Sequence, residues 1–203
     1  MIARRLHGDR GQTLPIYIWM TGILLFVAFA FFAFAQAASA RNGAQSAADA
    51  AALAAAQDAR EELVDGLGES IGKDGDEWLD WLDGDKFTGD GARGAANALA
   101  ADNDSKVIDV VPDEVNGYPG FWVEIETNYT VGDSIIPGTE TKHAKAEATA
   151  IIKPRCDLAP SADPEKAVEF DCDGGDSFEI DPDDFDRDGL PDASVLFSVH
   201  LAD

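Results

Sequence analysis

The chain has 203 residues and a formal net charge of −24, from 39 acidic and 15 basic side chains. Only one acidic residue but four basic ones lie in residues 1–41, so the remainder carries 11 − 38 = −27. Such acidity disfavours nucleic acids and anionic membrane surfaces as partners, and it is compatible with divalent cations.

An uncharged apolar run, residues 14–35, is the first predicted element. About 20 apolar residues in a helix cross the hydrocarbon core of a bilayer, so we predict a transmembrane helix over residues 14–38. Thr13 is a suitable N-cap, and Pro15 lies in the first turn, where a missing N–H costs nothing. Tyr17 and Trp19 lie near one end of the run, as expected at a membrane interface.

The charges that flank the run predict its orientation. Three arginines and one aspartate precede it, whereas a single arginine, Arg41, follows before the strongly acidic remainder. The positive-inside rule therefore places residues 1–13 in the cytoplasm and exports the C-terminal domain. The alternative is a cleaved signal peptide with its site at Ala38-Ser39-Ala40, but the apolar run is about twice the usual length of such a segment.

An alanine-rich tract over residues 39–67 predicts that the helix continues outside the membrane, because its composition favours a helix and no proline interrupts it. Its surface of small residues lets another helix approach closely. Gly66, Gly68 and Gly72 are predicted to mark its end.

Residues 68–155 are predicted to form a small α+β domain. Residues 77–82 predict a short amphipathic turn, and residues 92–101 predict a helix that ends at Asp102-Asn103-Asp104. Alternating patterns then predict strands at 106–111, 120–131 and 142–152, with a turn at 136–138, and a last strand at 195–201. In the second strand, Phe121, Val123, Ile125 and Thr127 share one face. The expected arrangement is an antiparallel meander with one face packed on a helix.

Residues 156–203 are predicted to be an acidic region tied by a disulfide between Cys156 and Cys172, both on the exported side. The bond would close a loop of about 17 residues and contribute about 3 kcal/mol. Two unpaired thiols are the alternative. The segment 171–176 is interpreted as a turn tied by this disulfide rather than as a second ion site.

The acidic region also contains a pattern that favours Ca²⁺ binding. Asp184, Asp186 and Asp188 alternate, Gly189 follows, Leu190 offers a backbone carbonyl, and Asp192 comes two residues later. The spacing matches the first nine positions of an EF-hand loop, but Val195 stands where the bidentate glutamate is expected, so a weak structural site is predicted. Asp181 and Asp183 are candidates to complete it. The alternative is a solvated acidic loop, because Asp and Gly are common turn residues.

The sequence offers little support for an enzyme. His7, His143 and His200 lack the spacing of a zinc site, and His143 lies in an alternating strand where an exposed side chain is expected. No nucleophile elbow, P-loop or dinucleotide fingerprint is present. We therefore predict a protein without catalytic activity.

The N-terminal residues resemble the TadE/TadG family of tight-adherence (Flp-type) pilus assembly proteins. The resemblance covers roughly residues 8–57 and is carried by Asp9-Arg10-Gly11-Gln12, the apolar run, and the tract from Ala44 through Ala56. It implies a minor pilin-like or pseudopilin-like role in which the membrane helix packs among other pilin helices. The tract from Ala44 to Gln57 would be the working part, and processing would fall between Gly11 and Gln12, although Ile16 stands where an acidic residue is expected.

The sequence thus predicts a single-pass membrane protein of a Tad-type pilus or secretion system, whose partners are the lipid bilayer and other pilus proteins. A membrane-anchored extracellular calcium-binding module or adhesin is the alternative, and a surface enzyme is a weaker one.

Overall fold

The computed structural model describes residues 13–73, 75–84, 86–132, 138–158, 163, 165–175 and 177–202. These residues form the predicted α+β arrangement, a long N-terminal helix followed by small antiparallel sheets. The elements in chain order are α1 (Thr13–Ser70), α2 (Trp78–Leu82), α3 (Ala92–Asp102), β1 (Ser105–Val115), β2 (Tyr118–Thr130), β3 (His143–Pro154), β4 (Cys156–Leu158), β5 (Val168–Cys172), β6 (Ser177–Ile180), α4 (Ala193–Leu196) and β7 (Phe197–Leu201).

Helix α1 is continuous over 58 residues, which corresponds to about 87 Å of helix. The prediction of one helix that continues beyond the apolar run is confirmed. Of the three glycines predicted to mark its end, Gly66 and Gly68 lie inside the helix, which ends at Ser70, and Gly72 follows it. Gly72 then adopts a φ of +79°, the left-handed conformation that often follows a helix end.

The larger sheet has the strand order β1-β2-β3-β7, with every neighbouring pair antiparallel. The predicted meander and its last strand are confirmed, although β1 is longer than the pattern indicated. The predicted face of β2 is buried, with Phe121, Val123, Ile125 and Thr127 at most 2% exposed. This face packs against α1.

The second half of α1 is the central element of the hydrophobic core. One side packs on β2 and β3, and another packs on α3. The small side chains that allow this close approach are fully buried; they are Ala44, Ala47, Ala48, Ala51, Ala52, Ala55, Ala56 and Ala59. The expectation that this small-residue surface lets another helix approach closely is confirmed within the chain itself, because α3 packs on it and the sheet covers another side.

A second sheet, with the order β4-β5-β6, was not predicted. The predicted disulfide is confirmed: Cys156 and Cys172 are directly opposed on β4 and β5. The segment after Cys172 is the turn between β5 and β6, where Gly174 and Gly175 both adopt positive φ. Trp78 of α2 packs edge-on against Phe170 of β5 and joins this sheet to the core.

Candidate functional site

The first third of α1 projects from the domain as a bare helix. Its large apolar side chains are at least half exposed and lie on every side of the helix; they are Leu14, Ile16, Tyr17, Ile18, Trp19, Met20, Ile23, Leu24, Leu25, Phe26, Val27, Phe29, Phe31, Phe32 and Phe34. A helix that is apolar all round, rather than on one stripe, is suited to lipid or to a bundle of apolar helices. We call residues 14–32 the bare segment.

The length of the bare segment matches a bilayer. The first buried side chain on α1 is Ala33, so the segment measures about 28 Å, close to the ~30 Å of a hydrocarbon core. Within the part of the chain that the structure describes, α1 is the one helix long and apolar enough to cross a membrane, with a mean hydropathy of 2.3 in its most apolar window. The helix is compatible with a single-pass anchor.

The domain contacts α1 immediately after the bare segment. Gly132, just beyond β2, lies beside the Gln36 side chain, and the Tyr129 hydroxyl rests on Gly43. A Cβ at Gly43 would lie 2.2 Å from that hydroxyl oxygen, so the glycine permits the close approach of the Tyr129 hydroxyl to the helix. The domain thus reaches into the predicted 14–38 span, and the apolar boundary falls near residues 33–36.

Two acidic residues further along α1 hold the segment that leads into α3. Glu62 accepts hydrogen bonds from the Thr88 backbone N–H at 2.7 Å, the Thr88 hydroxyl at 2.9 Å and the Gly89 N–H at 2.9 Å. The Asp58 carboxylate packs against Gly91, the N-cap of α3, where negative charge is favourable. These carboxylates are structural, and they fix α3 against the alanine face.

Ion pairs are scattered over the surface. Lys106 pairs with Glu126 at 2.8 Å, and this hydrogen bond, with the nearby charges of Lys145 and His143, lowers the pKa of the Glu126 carboxyl. Lys86 pairs with Asp80 at 3.0 Å, and that hydrogen bond raises the pKa of the Lys86 ammonium group. A third ion pair, between Asp163 and Lys166, lies in the connection between β4 and β5. The side chains of all three pairs are at least partly exposed.

The candidate calcium loop folds as two consecutive 3₁₀ turns, Pro182–Asp184 and Arg187–Gly189. Asp181 and Asp186 each accept a hydrogen bond from the backbone N–H two residues ahead. Arg187 forms an ion pair with Asp65 of α1 at 2.5 Å. The loop is therefore docked on the end of α1.

The predicted ligands are not gathered around one point. Among the described residues, no group of three or more His, Cys, Asp or Glu side chains is arranged to hold a metal ion. Asp184, Asp186, Asp188 and Asp192 are exposed, and Gly189 does not adopt the positive φ found at other glycine turns of the chain. The side chain of Leu190, whose backbone carbonyl is the predicted ligand, is half-buried and packs over Gly68.

Two other predicted features have different outcomes. Gly11 and Gln12, the possible processing site, lie outside the described residues. His143 is exposed in β3 as predicted, and its Nδ1 lies 2.7 Å from the Thr127 carbonyl oxygen.

Sequence patterns did not reveal the residues that bind the domain to α1. Gly43 was a usable signal, because an isolated glycine in an alanine-rich helix indicates a close approach. Asp58 and Glu62 had no such signal, since many acidic residues on this helix face solvent.

Comparison with known proteins agrees with the resemblance seen in the N-terminal residues. Residues 11–58 match the family model described as "Putative Flp pilus-assembly TadE/G-like". The match covers most of α1, both the bare segment and the buried alanine tract, and none of the strands. No curated protein and no solved structure gives a significant match.

Proposed function

We propose that this chain is a non-enzymatic, single-pass membrane component of a Tad-type pilus assembly or secretion system. The N-terminus faces the cytoplasm and the acidic domain lies outside the cell. The observation that carries the proposal is the construction of α1, in which a bare apolar segment of bilayer length leads directly into the helix that forms the domain core. The family match falls on that same helix.

The finer proposal is a minor pilin-like or pseudopilin-like role. The bare segment would lie in the membrane before assembly and then pack among the apolar helices of other pilus proteins. It suits both environments because its exposed side chains are apolar on every side. The alanine tract has a different role from the one expected: it supports the domain, and contacts with other helices belong to the bare segment.

Deletion of the gene in its native host, followed by pilus counting by electron microscopy, tests the proposal. We expect pilus numbers to fall and to recover with the full chain. A Phe26→Arg variant should fail to restore them, because an arginine at the centre of a membrane helix costs about 2.5–3.5 kcal/mol. Glu61→Arg, a charge change on an exposed part of the same helix, is the matched control and should restore them.

A wild-type pilus count in the deletion strain would contradict the role in assembly. Mass spectrometry of the native protein tests processing separately. A chain that starts at Gln12 supports cleavage after Gly11, one that starts at Met1 excludes it, and one that starts near Arg41 supports the signal peptide instead.

Calcium binding is a separate proposal that rests on the spacing of the aspartates alone. An anchored calcium-binding module or adhesin remains the alternative function, and it predicts normal pili together with a calcium-dependent domain.

A further inference from the structure

Two asparagines of the chain carry the acceptor motif for N-linked glycosylation. The motif is an asparagine followed two positions later by serine or threonine, with no proline between them. It occurs at Asn103-Asp104-Ser105 and at Asn128-Tyr129-Thr130. Three residues also match by chance, so the structural context distinguishes a usable acceptor from an accidental one.

The first motif is built into the fold. Asn103 is the C-cap residue of α3, and its Nδ2 donates a hydrogen bond of 2.8 Å to the Leu99 carbonyl. Ser105 is 2% exposed, and its hydroxyl donates to the Asn103 carbonyl at 3.0 Å. Both side chains that a modifying enzyme has to reach are therefore already bonded within the domain.

The second motif has no such bonds. The Asn128 side chain is exposed, and neither its amide nor the hydroxyl of half-buried Thr130 has a hydrogen-bond partner among the described residues. Thr127 is fully buried and Tyr129 reaches Gly43 of α1. Since successive side chains alternate along a strand, Asn128 faces away from α1 and is open to solvent.

Strand β2 is also irregular at this point. Its register with β3 shifts between Glu126 and Thr130, so the ladder between the two strands is interrupted around Asn128. The Ala144 N–H donates to the Thr127 hydroxyl at 3.1 Å instead of to a backbone carbonyl. A segment with fewer ladder bonds opens locally at lower cost than the centre of a sheet, which favours entry into an enzyme's site.

The second motif stands clear of the predicted bilayer. The Tyr129 hydroxyl rests on Gly43, which lies about 16 Å along α1 from the end of the bare segment. The headgroup layer adds only about 5–7 Å on each side of the hydrocarbon core. A sugar on Asn128 would therefore project into water rather than into lipid.

We propose that Asn128 is an acceptor for N-linked glycosylation on the exported side of the membrane. The co-substrate is a lipid-linked oligosaccharide, in which a pyrophosphate joins lipid and sugar. A membrane transferase forms the bond between Asn128 Nδ2 and the anomeric carbon of the sugar. The bond from that carbon to the pyrophosphate oxygen breaks, the amide gives up one proton, and the lipid pyrophosphate leaves. This inference rests on the proposed export of the domain and not on its role in pilus assembly.

Glycopeptide mass spectrometry of the full chain, purified from the membranes of its native host, tests the proposal. Trypsin separates the two asparagines because Lys106 lies between them. We expect the peptide with Asn128 to carry an added sugar mass and to release sugar fragment ions, and the peptide with Asn103 to be unmodified. An unmodified Asn128 peptide would overturn the proposal.

Variants identify the modified atom. Asn128→Gln and Thr130→Ala should each abolish the sugar mass, whereas Thr130→Ser, which keeps the hydroxyl, should retain it. Asn103→Gln, a loss of the other motif, is the matched control and should leave the sugar mass unchanged. Sugar that persists in Asn128→Gln or in Thr130→Ala would refute N-linked attachment at this motif. Circular dichroism checks that each variant is folded.

Two results separate this inference from the proposed function. Sugar on Asn128 together with normal pili in the deletion strain would support glycosylation and contradict the role in assembly. An unmodified Asn128 in a chain whose Glu61→Cys variant reacts with a membrane-impermeant maleimide would overturn glycosylation alone. A domain found in the cytoplasm would overturn both.

Discussion

Three glycines of α1 each lie under a large side chain from another part of the domain. Tyr129 covers Gly43, Trp81 covers Gly66, and Leu190 covers Gly68. Each glycine lowers helix stability by about 1 kcal/mol relative to alanine. The domain gains close contacts in return, so Gly66 and Gly68 do not end the helix as their residue type suggested.

Replacing Gly66 by alanine should destabilise the domain despite the better helix propensity. The new Cβ would lie 2.3–2.5 Å from three Trp81 ring atoms, so the ring must move. We expect the free energy of unfolding to fall by about 1–3 kcal/mol, as for other overpacked sites. Urea unfolding in detergent micelles, followed by circular dichroism, measures this.

Gly94→Ala on α3 is the matched control, because a Cβ there has nothing within 4 Å. It should raise the free energy of unfolding by about 0.5–1 kcal/mol. Equal effects of the two substitutions would refute the close-packing explanation for Gly66.

The lowered pKa of Glu126 predicts that the stability of the domain depends on pH. Its pKa is lowered from 4.5 by the hydrogen bond from Lys106. A carboxyl whose folded-state pKa is depressed stabilises the protein above its unfolded-state pKa, and this contribution is lost as pH falls through the folded-state pKa. Glu126→Gln should therefore lower the melting temperature at pH 7.

The difference between wild type and Glu126→Gln should shrink below pH 4.5 and disappear once Glu126 is protonated. Other carboxyls titrate in both proteins and cancel in the difference. Thermal unfolding from pH 7 to pH 3 measures it. A difference that is constant with pH would show that the ion pair with Lys106 is not its source.

At the scale of elements, periodicity predicted those that have one buried face. The alternation of β2 and β3 and the apolar side of α2 placed these elements correctly. Strands β4 and β6 have only 3 and 4 residues, which is too short for a pattern to be distinguished from a loop. Strand β5, Val168–Cys172, does alternate between buried and exposed residues, and this signal was missed.

The bare segment was also predictable, because its uncharged, apolar composition identifies it without knowledge of any tertiary contact. It was not predictable that the sheet and α3 would cover the alanine tract. Small side chains favour close approach by any helix or sheet, and the sequence does not state which one. The short pairing of β7 with β3, over Ala150–Pro154, was not predictable either, because patterns within single strands do not give it.

To bind Ca²⁺, the candidate calcium loop would have to change its conformation. Arg187 holds it to Asp65, and Leu190 packs over Gly68. Calorimetric titration of Ca²⁺ should give heat with a Kd of about 10⁻⁴–10⁻³ M, typical of weak extracellular sites. Asp186→Ala combined with Asp188→Ala should abolish it.

Removal of two carboxylates elsewhere, by Asp113→Ala with Glu114→Ala, is the control and should leave the heat unchanged. No heat from the wild type, or equal heat from the loop variant, would contradict the calcium hypothesis.

At the scale of the whole molecule, anchor and domain are one body. The same helix supplies the bare segment and, from Ala33 to Leu67, a large part of the buried core. A tilt or rotation of the helix therefore moves the domain with it, because no flexible linker separates them. This arrangement is compatible with the proposed component, whose apolar helix would change surroundings during assembly while its domain stays outside.

That arrangement predicts a sharp boundary in chemical labelling. Cysteine variants at Phe26, Ser39 and Glu61 can be treated with a membrane-impermeant maleimide in intact spheroplasts. The background is low because both native cysteines form the disulfide. Ser39→Cys and Glu61→Cys should react fully if the proposed topology is correct, since both would lie beyond the apolar segment on the exported side. Phe26→Cys should react only after detergent is added, although its side chain is 67% exposed on the bare helix. Labelling of Ser39→Cys only after lysis would invert the orientation, and prompt labelling of Phe26→Cys would refute the membrane span.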